Sequence, residues 1–252
     1  MNQNLFQIVY ASDSENTHEI HSYFKEEANA MQEAGLLIGL KPIAEATQLM
    51  YRGTSISQAE NYPKDERYIN KSNNCIDYLY LSKYYPHIKE LSIETFFSDE
   101  LNESVIEEIN KRGWKKCFIK KDTKALEHIR EGKSVWPQTS FKEMLEIYNK
   151  YPFEGKFCIR KYVDSKKLIR EEQRYWVFNG NIYHRHNKIP KVVKEAANQL
   201  NKLGSKYYTI DATPEFVVEV NPGESSDRHG VNSAELFASW IKKEFDNSIC
   251  SL

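Results

Sequence analysis

The sequence lacks long apolar runs and paired cysteines. Its four cysteines, Cys75, Cys117, Cys158 and Cys250, are scattered and form no C-x-x-C pair, which argues against a zinc knuckle and for reduced thiols in a cytosolic compartment. No apolar stretch is long enough to span a bilayer, and the opening MNQNLFQIVY has no secretory signal pattern. We therefore expect a cytoplasmic protein without a membrane partner.

An excess of charge of one sign is also absent. The chain has 35 Lys and Arg residues against 36 Asp and Glu residues, for a net charge of -1. No overall field therefore favours nucleic acid or an anionic membrane. A nucleic-acid-binding protein that stacks bases on its tyrosines is an alternative, but the charge balance and the lack of a basic cluster argue against it.

Several common catalytic motifs are missing. The chain contains no G-x-G-x-x-G after its first strand, no G-x-x-x-x-G-K-[ST] and no G-x-S-x-G, so we predict neither a dinucleotide site of that kind, nor a P-loop, nor a serine-hydrolase elbow. His184 and His186 alternate along a predicted strand in YHRH. Because a third ligand at a suitable spacing is lacking, we interpret them as ordinary strand residues.

The order of predicted elements divides the chain near residue 95. Before it, β-rich runs such as FQIVYAS and LLIGL flank a helix that Gly35 closes, and this β-α-β order predicts a parallel, Rossmann-like N-terminal lobe over residues 1–95. After it, helices mix with mostly antiparallel strands. We therefore expect an α+β domain over residues 96–252, with a central lobe at 96–163 and a C-terminal lobe at 164–252.

An acid and an amide occupy one face of the apolar strand FVVEVN. The side-chain period of two places Glu219 and Asn221 on the same face, and Asp211 lies eight residues before Glu219 in TIDAT. If the two strands pair as a hairpin, two carboxylates and an amide oxygen come together, which is a suitable oxygen set for Mg²⁺. The alternative is a solvated strand end followed by an Asn-Pro-Gly turn.

Cations occur on three strands that otherwise read as buried. An unpaired buried charge is costly, so three such strands indicate a pocket for a polyphosphate and its metal, whereas any one alone fits an edge strand or a surface ion pair. The loop EGKSV places Lys133 either over the phosphates or in an exposed turn. The strand cations are Lys120 and Lys121 in CFIKKD, Arg160 and Lys161 in FCIRKYV, and Arg174 in EEQRYWVF.

The order of these motifs resembles the ATP-grasp superfamily. A strand lysine in FIKKD, a glycine-containing loop, CIRKYVD, EQRYWVFNG, YYTIDAT and finally VVEVNPG are similar to its compact clade of bacterial and phage proteins. The resemblance spans most of the chain and is most specific in the C-terminal half. It implies an α/β N-terminal lobe followed by an α+β ATP-grasp domain whose two lobes have mostly antiparallel sheets.

The resemblance also implies roles for residues. ATP would be bound by the cations, with Lys120 at the α- and β-phosphates, Lys121 competing for that role, and Arg174 at the γ-phosphate or the acyl phosphate. Arg160 and Lys133 join the nucleotide-binding set, and Lys120, Arg160 and Arg174 are the catalytic candidates. The linker residues Lys161, Tyr162 and Val163 would border adenine, Asp211, Glu219 and Asn221 would hold Mg²⁺, and Arg52, Ser225, Ser226 and Arg228 would contact the substrate.

The function implied is an ATP- and Mg²⁺-dependent carboxylate–amine ligase that works through an acyl phosphate. Its partners would be ATP, a substrate with a carboxylate and an amine acceptor, which is a small molecule, a peptide or a protein. The alternative is a nucleotide-binding regulatory or interaction module of the same fold without ligase turnover.

Overall fold

Three β-sheets organise the part of the chain that the structure describes. The computed structural model covers residues 5–12, 18–53, 62–123, 134–148, 155–228 and 233–245. The strands are β1 Phe6–Tyr10, β2 Leu37–Gly39, β3 Gln48–Arg52, β4 Thr95–Ser98, β5 Lys116–Lys121, β6 Val135–Pro137, β7 Phe157–Lys161, β8 Gln173–Phe178, β9 Asn181–Tyr183, β10 Tyr207–Ala212 and β11 Val217–Pro222. The helices are α1 Lys25–Glu33, α2 Ser72–Leu79, α3 Leu81–Ile88, α4 Glu103–Lys111, α5 Phe141–Tyr148, α6 Ser165–Glu171, α7 Lys191–Leu200 and α8 Ala234–Phe245.

The N-terminal sheet is parallel, with the order β2-β1-β3. Helix α1 joins β1 to β2, as the β-α-β pattern predicts. Residues 40–47 join β2 to β3 without a helix. The prediction of a Rossmann-like lobe is therefore correct for one β-α-β unit and wrong for a second crossover helix, because an eight-residue connection has no room for one.

The other two sheets are antiparallel, as expected for the remainder of the chain. The central sheet has the order β4-β7-β5-β6 and the C-terminal sheet has the order β11-β10-β8-β9. Asn179 and Gly180 form the turn between β8 and β9 with φ angles of 48° and 86°, which is the positive-φ geometry that an Asn-Gly hairpin favours.

The C-terminal sheet is buried on both faces. Along β8, Trp176 and Phe178 pack with the N-terminal sheet, α1 and α8, while Tyr175 and Val177 pack with α3 and α7 on the opposite face. Helices α2 and α3 precede residue 95 yet contribute to this second core. The lobe boundary at residue 95 stays a prediction.

Arg52, at the end of β3, joins the N-terminal lobe to the C-terminal lobe. It is completely buried, and its Nε and Nη2 donate to the carboxylate of Glu27 at 2.8 and 2.7 Å. On its other side it donates to the backbone oxygens of Gly223 and Ser226 in the loop that follows β11. A buried charge with this many partners fixes the loop against α1.

The same loop contains a close approach and a buried acid. A Cβ atom at Gly223 would lie 2.2 Å from the ring Cδ2 of Tyr207, so only glycine fits that turn. Glu224 is completely buried and accepts hydrogen bonds from the Tyr62 hydroxyl at 3.1 Å and the Asn70 amide at 2.8 Å. Burial raises the pKa of its carboxyl to about 7, despite those hydrogen bonds and the charge of Arg52.

Two further expectations concern cysteines and membranes. Cys75, Cys117 and Cys158 are free and buried, whereas Cys250 lies outside the described residues. Among the helices of the described ranges, none is both long enough and apolar enough to cross a membrane.

Replacing Arg52 with methionine should lower the free energy of unfolding by about 3–5 kcal/mol, because Glu27 would keep a buried charge without its partner. Urea unfolding followed by circular dichroism measures this change. The control is Lys25→Met, since Lys25 pairs with Glu19 at 2.7 Å on an exposed surface and should cost no more than about 1 kcal/mol. Equal effects of the two substitutions would contradict the structural role of Arg52.

Replacing Glu224 with glutamine should remove a pH dependence of stability. The folded pKa of about 7 exceeds the ordinary value, so the folded protein holds this proton more tightly than the unfolded chain does. The stabilisation is therefore complete in acid and is lost as pH rises from about 4.5 through 7, by an amount on the order of 2 kcal/mol. Urea unfolding of both proteins between pH 5 and 8 should show a shallower decline for Glu224→Gln, and parallel curves would refute the assignment.

Candidate active site

A cavity of about 440 Å³ lies between the central sheet and the C-terminal sheet. Strands β5 and β7 form one wall, and β11 forms the other. Residues at the end of β7 and in the connection to α6 form its rim. Its lining includes Lys120, Arg160, Lys161, Val163, Leu168 and Glu219. The volume is in the range of cavities that hold small molecules and cofactors.

Lys120 faces this cavity, and Lys121 does not. Successive residues on β5 point to opposite sides of the sheet. Lys120 is buried and donates to the Glu219 carboxylate across the cavity. Lys121 donates to the carbonyl of Gly155 at 2.8 Å and lies 4.0 Å from the ring centroid of Phe157. The geometry therefore favours Lys120 as the ligand-facing lysine.

Arg160 contributes a second buried cation to the same wall. Its Nη2 donates to the carbonyl of Val218 at 2.8 Å, and its Nε donates to the Thr95 hydroxyl at 3.3 Å. The side chain thus joins β7 to β11 while it lines the cavity. A guanidinium has donors in addition to those two, which suits it to an anionic ligand.

The linker after β7 provides part of the cavity rim. Lys161 and Val163 line the cavity, whereas the ring of Tyr162 lies 5.1 Å from the Nζ of Lys116. Asp164 caps α6 by accepting from the backbone N–H of Lys166 at 2.9 Å. Lys133 lies outside the described residues, so its predicted contact with phosphate stays a prediction.

The acidic hairpin forms with the register that its spacing suggests. Asp211 on β10 is directly opposite Glu219 on β11, and the Asn221 amide donates to Asp211 at 3.3 Å. Arg174, opposite Asp211 on β8, donates to both of its carboxylate oxygens at 2.8 and 2.7 Å. Three neighbouring strands therefore bring these polar side chains to one end of one sheet face.

The charges around the hairpin affect one another. Burial alone would raise the pKa of Glu219, but Lys120 and Arg160 hold it below its ordinary value. Glu172, two residues before Arg174, has a pKa raised to about 7 by burial and by the nearby charges of Asp211 and Glu219. The sequence pattern treats Glu172 only as a neighbour of Arg174. Its spacing of two residues from Arg174, at the start of β8, is the signal that could have identified it.

A second cavity of about 180 Å³ lies beside Arg174. Arg174 separates it from the acidic hairpin and donates to the Asp227 carboxylate at 2.6 Å. Ser225 lines it, as does Ser226, whose hydroxyl donates to the carbonyl of Pro222 at 2.8 Å. Tyr23, from the segment before α1, closes its other side. Sequence reasoning missed Asp227 and Tyr23, since Tyr23 is about 200 positions distant in the chain and carries no local motif.

Two residues predicted to contact substrate are instead engaged within the protein. Arg52 is completely buried and donates to Glu27 and to the loop after β11. Arg228 donates to Glu26 on α1 at 2.5 Å. Both cations hold the loop against the N-terminal lobe, so we correct their assignment from substrate contact to positioning of the loop.

The oxygen atoms of the hairpin are chemically suited to a hard divalent cation. Asp211 and Glu219 supply two carboxylates, and Asn221 supplies an amide oxygen, which is a donor set that Mg²⁺ accepts when phosphates complete its coordination. Among the described residues, no group of three or more His, Cys, Asp or Glu side chains is arranged to hold a metal. The protein ligands therefore form a partial site that a ligand's own oxygens would complete.

The chain matches the sequence profile of an ATP-grasp domain, clade family 3, over residues 51–240. No curated protein matches it. Many solved structures do, and those described below are of low identity, so these similarities concern the fold.

Three of these structures illustrate the similarity. The D-cycloserine synthetase DcsG superposes with a TM-score of 0.65 at 14% identity, covering 96% of this chain and 99% of that one. A RiPP-associated ATP-grasp ligase from Chryseobacterium gregarium, in complex with ADP and a leader and core peptide, gives 0.64 at 10% identity and 98% of both chains. The ATP-grasp ligase PsnB, complexed with a minimal precursor, Mg and ADP, gives 0.60 at 10% identity, covering 96% and 98%.

Proposed function

The chain belongs to the ATP-grasp domains, in family 3 of its clade, and we propose that it is an ATP- and Mg²⁺-dependent ligase joining a carboxylate to an amine. The observation that supports this proposal is the arrangement of charges across one cavity. Lys120 and Arg160 lie on one wall, and Glu219, with Asp211 behind it, lies on the other. Cations for phosphates thus face carboxylates for the metal.

The larger cavity is proposed to hold ATP. Lys120 and Arg160 would contact its phosphates, and Lys161, Val163 and Leu168 would border the base at the rim. Asp211, Glu219 and Asn221 would hold Mg²⁺, which when bound neutralises phosphate charge and favours the approach of an anionic nucleophile. Arg174, between the two cavities, would bind the phosphoryl group as it is transferred.

The smaller cavity beside Arg174 is proposed to hold the reacting carboxylate. A carboxylate oxygen would attack the γ-phosphorus, so that the bond to ADP breaks and an acyl phosphate forms. The amine nitrogen would then attack the acyl carbon, phosphate would leave with the C–O bonding electrons, and the nitrogen would lose a proton. No side-chain nucleophile is needed, because alignment and charge neutralisation supply the catalysis.

The substrate class that fits is a small molecule or a peptide with a free carboxylate. The similar structures in complex with peptides support a peptide among the candidates. A screen of amino acids and short peptides for ATP-dependent phosphate release, with mass spectrometry of the products, tests the reaction. Nucleotide binding without any release of ADP would favour the regulatory alternative.

Glu219→Gln combined with Asn221→Ala should reduce Mg²⁺-dependent ADP release by roughly 100-fold or more, because the metal would lose a carboxylate and an amide ligand. ADP release is followed by a coupled assay, and the far-UV circular dichroism spectrum should be unchanged. Full activity in the double variant would show that the metal lies elsewhere.

Lys120→Ala should weaken ATP binding by roughly 10- to 100-fold, the range expected for a lost contact to a charged group. Lys121→Ala is the matched control, since it removes the same charge from the other side of β5 and should change affinity less than about threefold. Isothermal titration calorimetry with a non-hydrolysable ATP analogue distinguishes the two. A larger effect at Lys121 would reverse the proposed orientation of the strand.

A further inference from the structure

Each carboxylate proposed to hold the metal already has a cation from the proposed ATP site as its partner. Glu219 accepts from Lys120, and Asp211 accepts from Arg174 through both oxygens. In this state the site neutralises itself. Any ligand of either sign must therefore displace a charge that the protein supplies.

The Lys120–Glu219 pair differs from the other pair in its position. Lys120 belongs to β5 of the central sheet and Glu219 to β11 of the C-terminal sheet, so the contact crosses the larger cavity. Arg174 and Asp211 are opposite each other on neighbouring strands of one sheet. The cavity-spanning pair thus lies where ligands would bind.

The two pairs also differ in the partners that remain when a pair separates. Arg174 has a second carboxylate partner, Asp227, at 2.6 Å, so it stays compensated if Asp211 turns to a metal. Among the described residues, Glu219 is the only side chain to which Lys120 donates a hydrogen bond. Separating this pair leaves a buried ammonium without a partner, and that is costly.

From these contacts we propose that Lys120 keeps a divalent cation away from Glu219 until nucleotide phosphates accept its ammonium group, so that metal and nucleotide bind together. This inference rests on the proposed function for its nucleotide part. A divalent cation alone would meet the Lys120 ammonium at close range. A nucleotide alone would draw Lys120 away and place its phosphates near an uncompensated Glu219. Only joint binding pairs every charge, and such coupling is reciprocal between the two ligands.

The test measures metal binding without nucleotide and without turnover. Mn²⁺ serves as the probe, because it is bound by similar oxygen ligands, and its free concentration is read from the electron paramagnetic resonance signal. Lys120→Gln should bind Mn²⁺ at least about tenfold more tightly than the wild type, as expected when a close charge partner is removed. Lys121→Gln, with the same change of charge on the other side of β5, should match the wild type within about twofold. Equal Mn²⁺ affinity in the two variants would overturn the proposal.

A double variant locates the effect. If the gain arises at Glu219, it should disappear in Lys120→Gln combined with Glu219→Gln, and its persistence there would also overturn the proposal. Should Lys120→Gln fail to fold, Lys120→Met replaces it, since methionine keeps an unbranched chain without the charge.

A second measurement separates this inference from the proposed function. In the wild type, ADP should increase the affinity for Mn²⁺ by about tenfold or more, and Lys120→Gln should reduce this coupling. If ADP binds neither with nor without metal, the proposed function fails, while the nucleotide-free titration still decides whether Lys120 excludes the metal. If ADP binds but leaves Mn²⁺ affinity unchanged in the wild type, the coupling is refuted and the nucleotide site stands.

Discussion

The buried guanidinium of Arg52 is the contact on which the placement of the site depends. It binds Glu27 of α1 on one side and the carbonyls of Gly223 and Ser226 on the other. That loop begins directly after the strand that carries Glu219 and Asn221. Since a buried charge tolerates little displacement from its partners, the geometry at the end of β11 is set by a pair in the N-terminal lobe.

The alternation of the C-terminal sheet explains how a core and a charged site share one surface. On the face that contains Trp176, Phe178 and Tyr207, aromatic side chains pack against the N-terminal lobe at one end. Towards the other end, the same face carries Arg174 and Asp211, which meet as opposite residues on β8 and β10. One rigid element thus extends from the protein interior to the reacting groups, which favours precise placement of those groups.

How far the site was predictable depended on the distance over which each residue finds its partner. The Asp211–Glu219 pairing follows from local spacing and a short hairpin, and it was predicted. The choice between Lys120 and Lys121 was not, because adjacent identical side chains leave the facing of a strand to tertiary packing. Arg52 and Arg228 were misassigned because their partners, Glu27 and Glu26, lie on a helix far away in the chain. Tyr23 was invisible for the same reason. Fold class was easier, since it depends on the order of elements, and only the helix-free link between β2 and β3 differed.

Gly223 has a consequence for how this protein can vary. Its backbone lies so near the ring of Tyr207 that any added side-chain carbon would displace the turn, and with it Asn221 two residues earlier. A residue that contacts no ligand is therefore among the least replaceable in the chain. Lineages that acquire new substrates should diversify along the wall of the smaller cavity, at positions such as Ser225, while this turn stays unchanged.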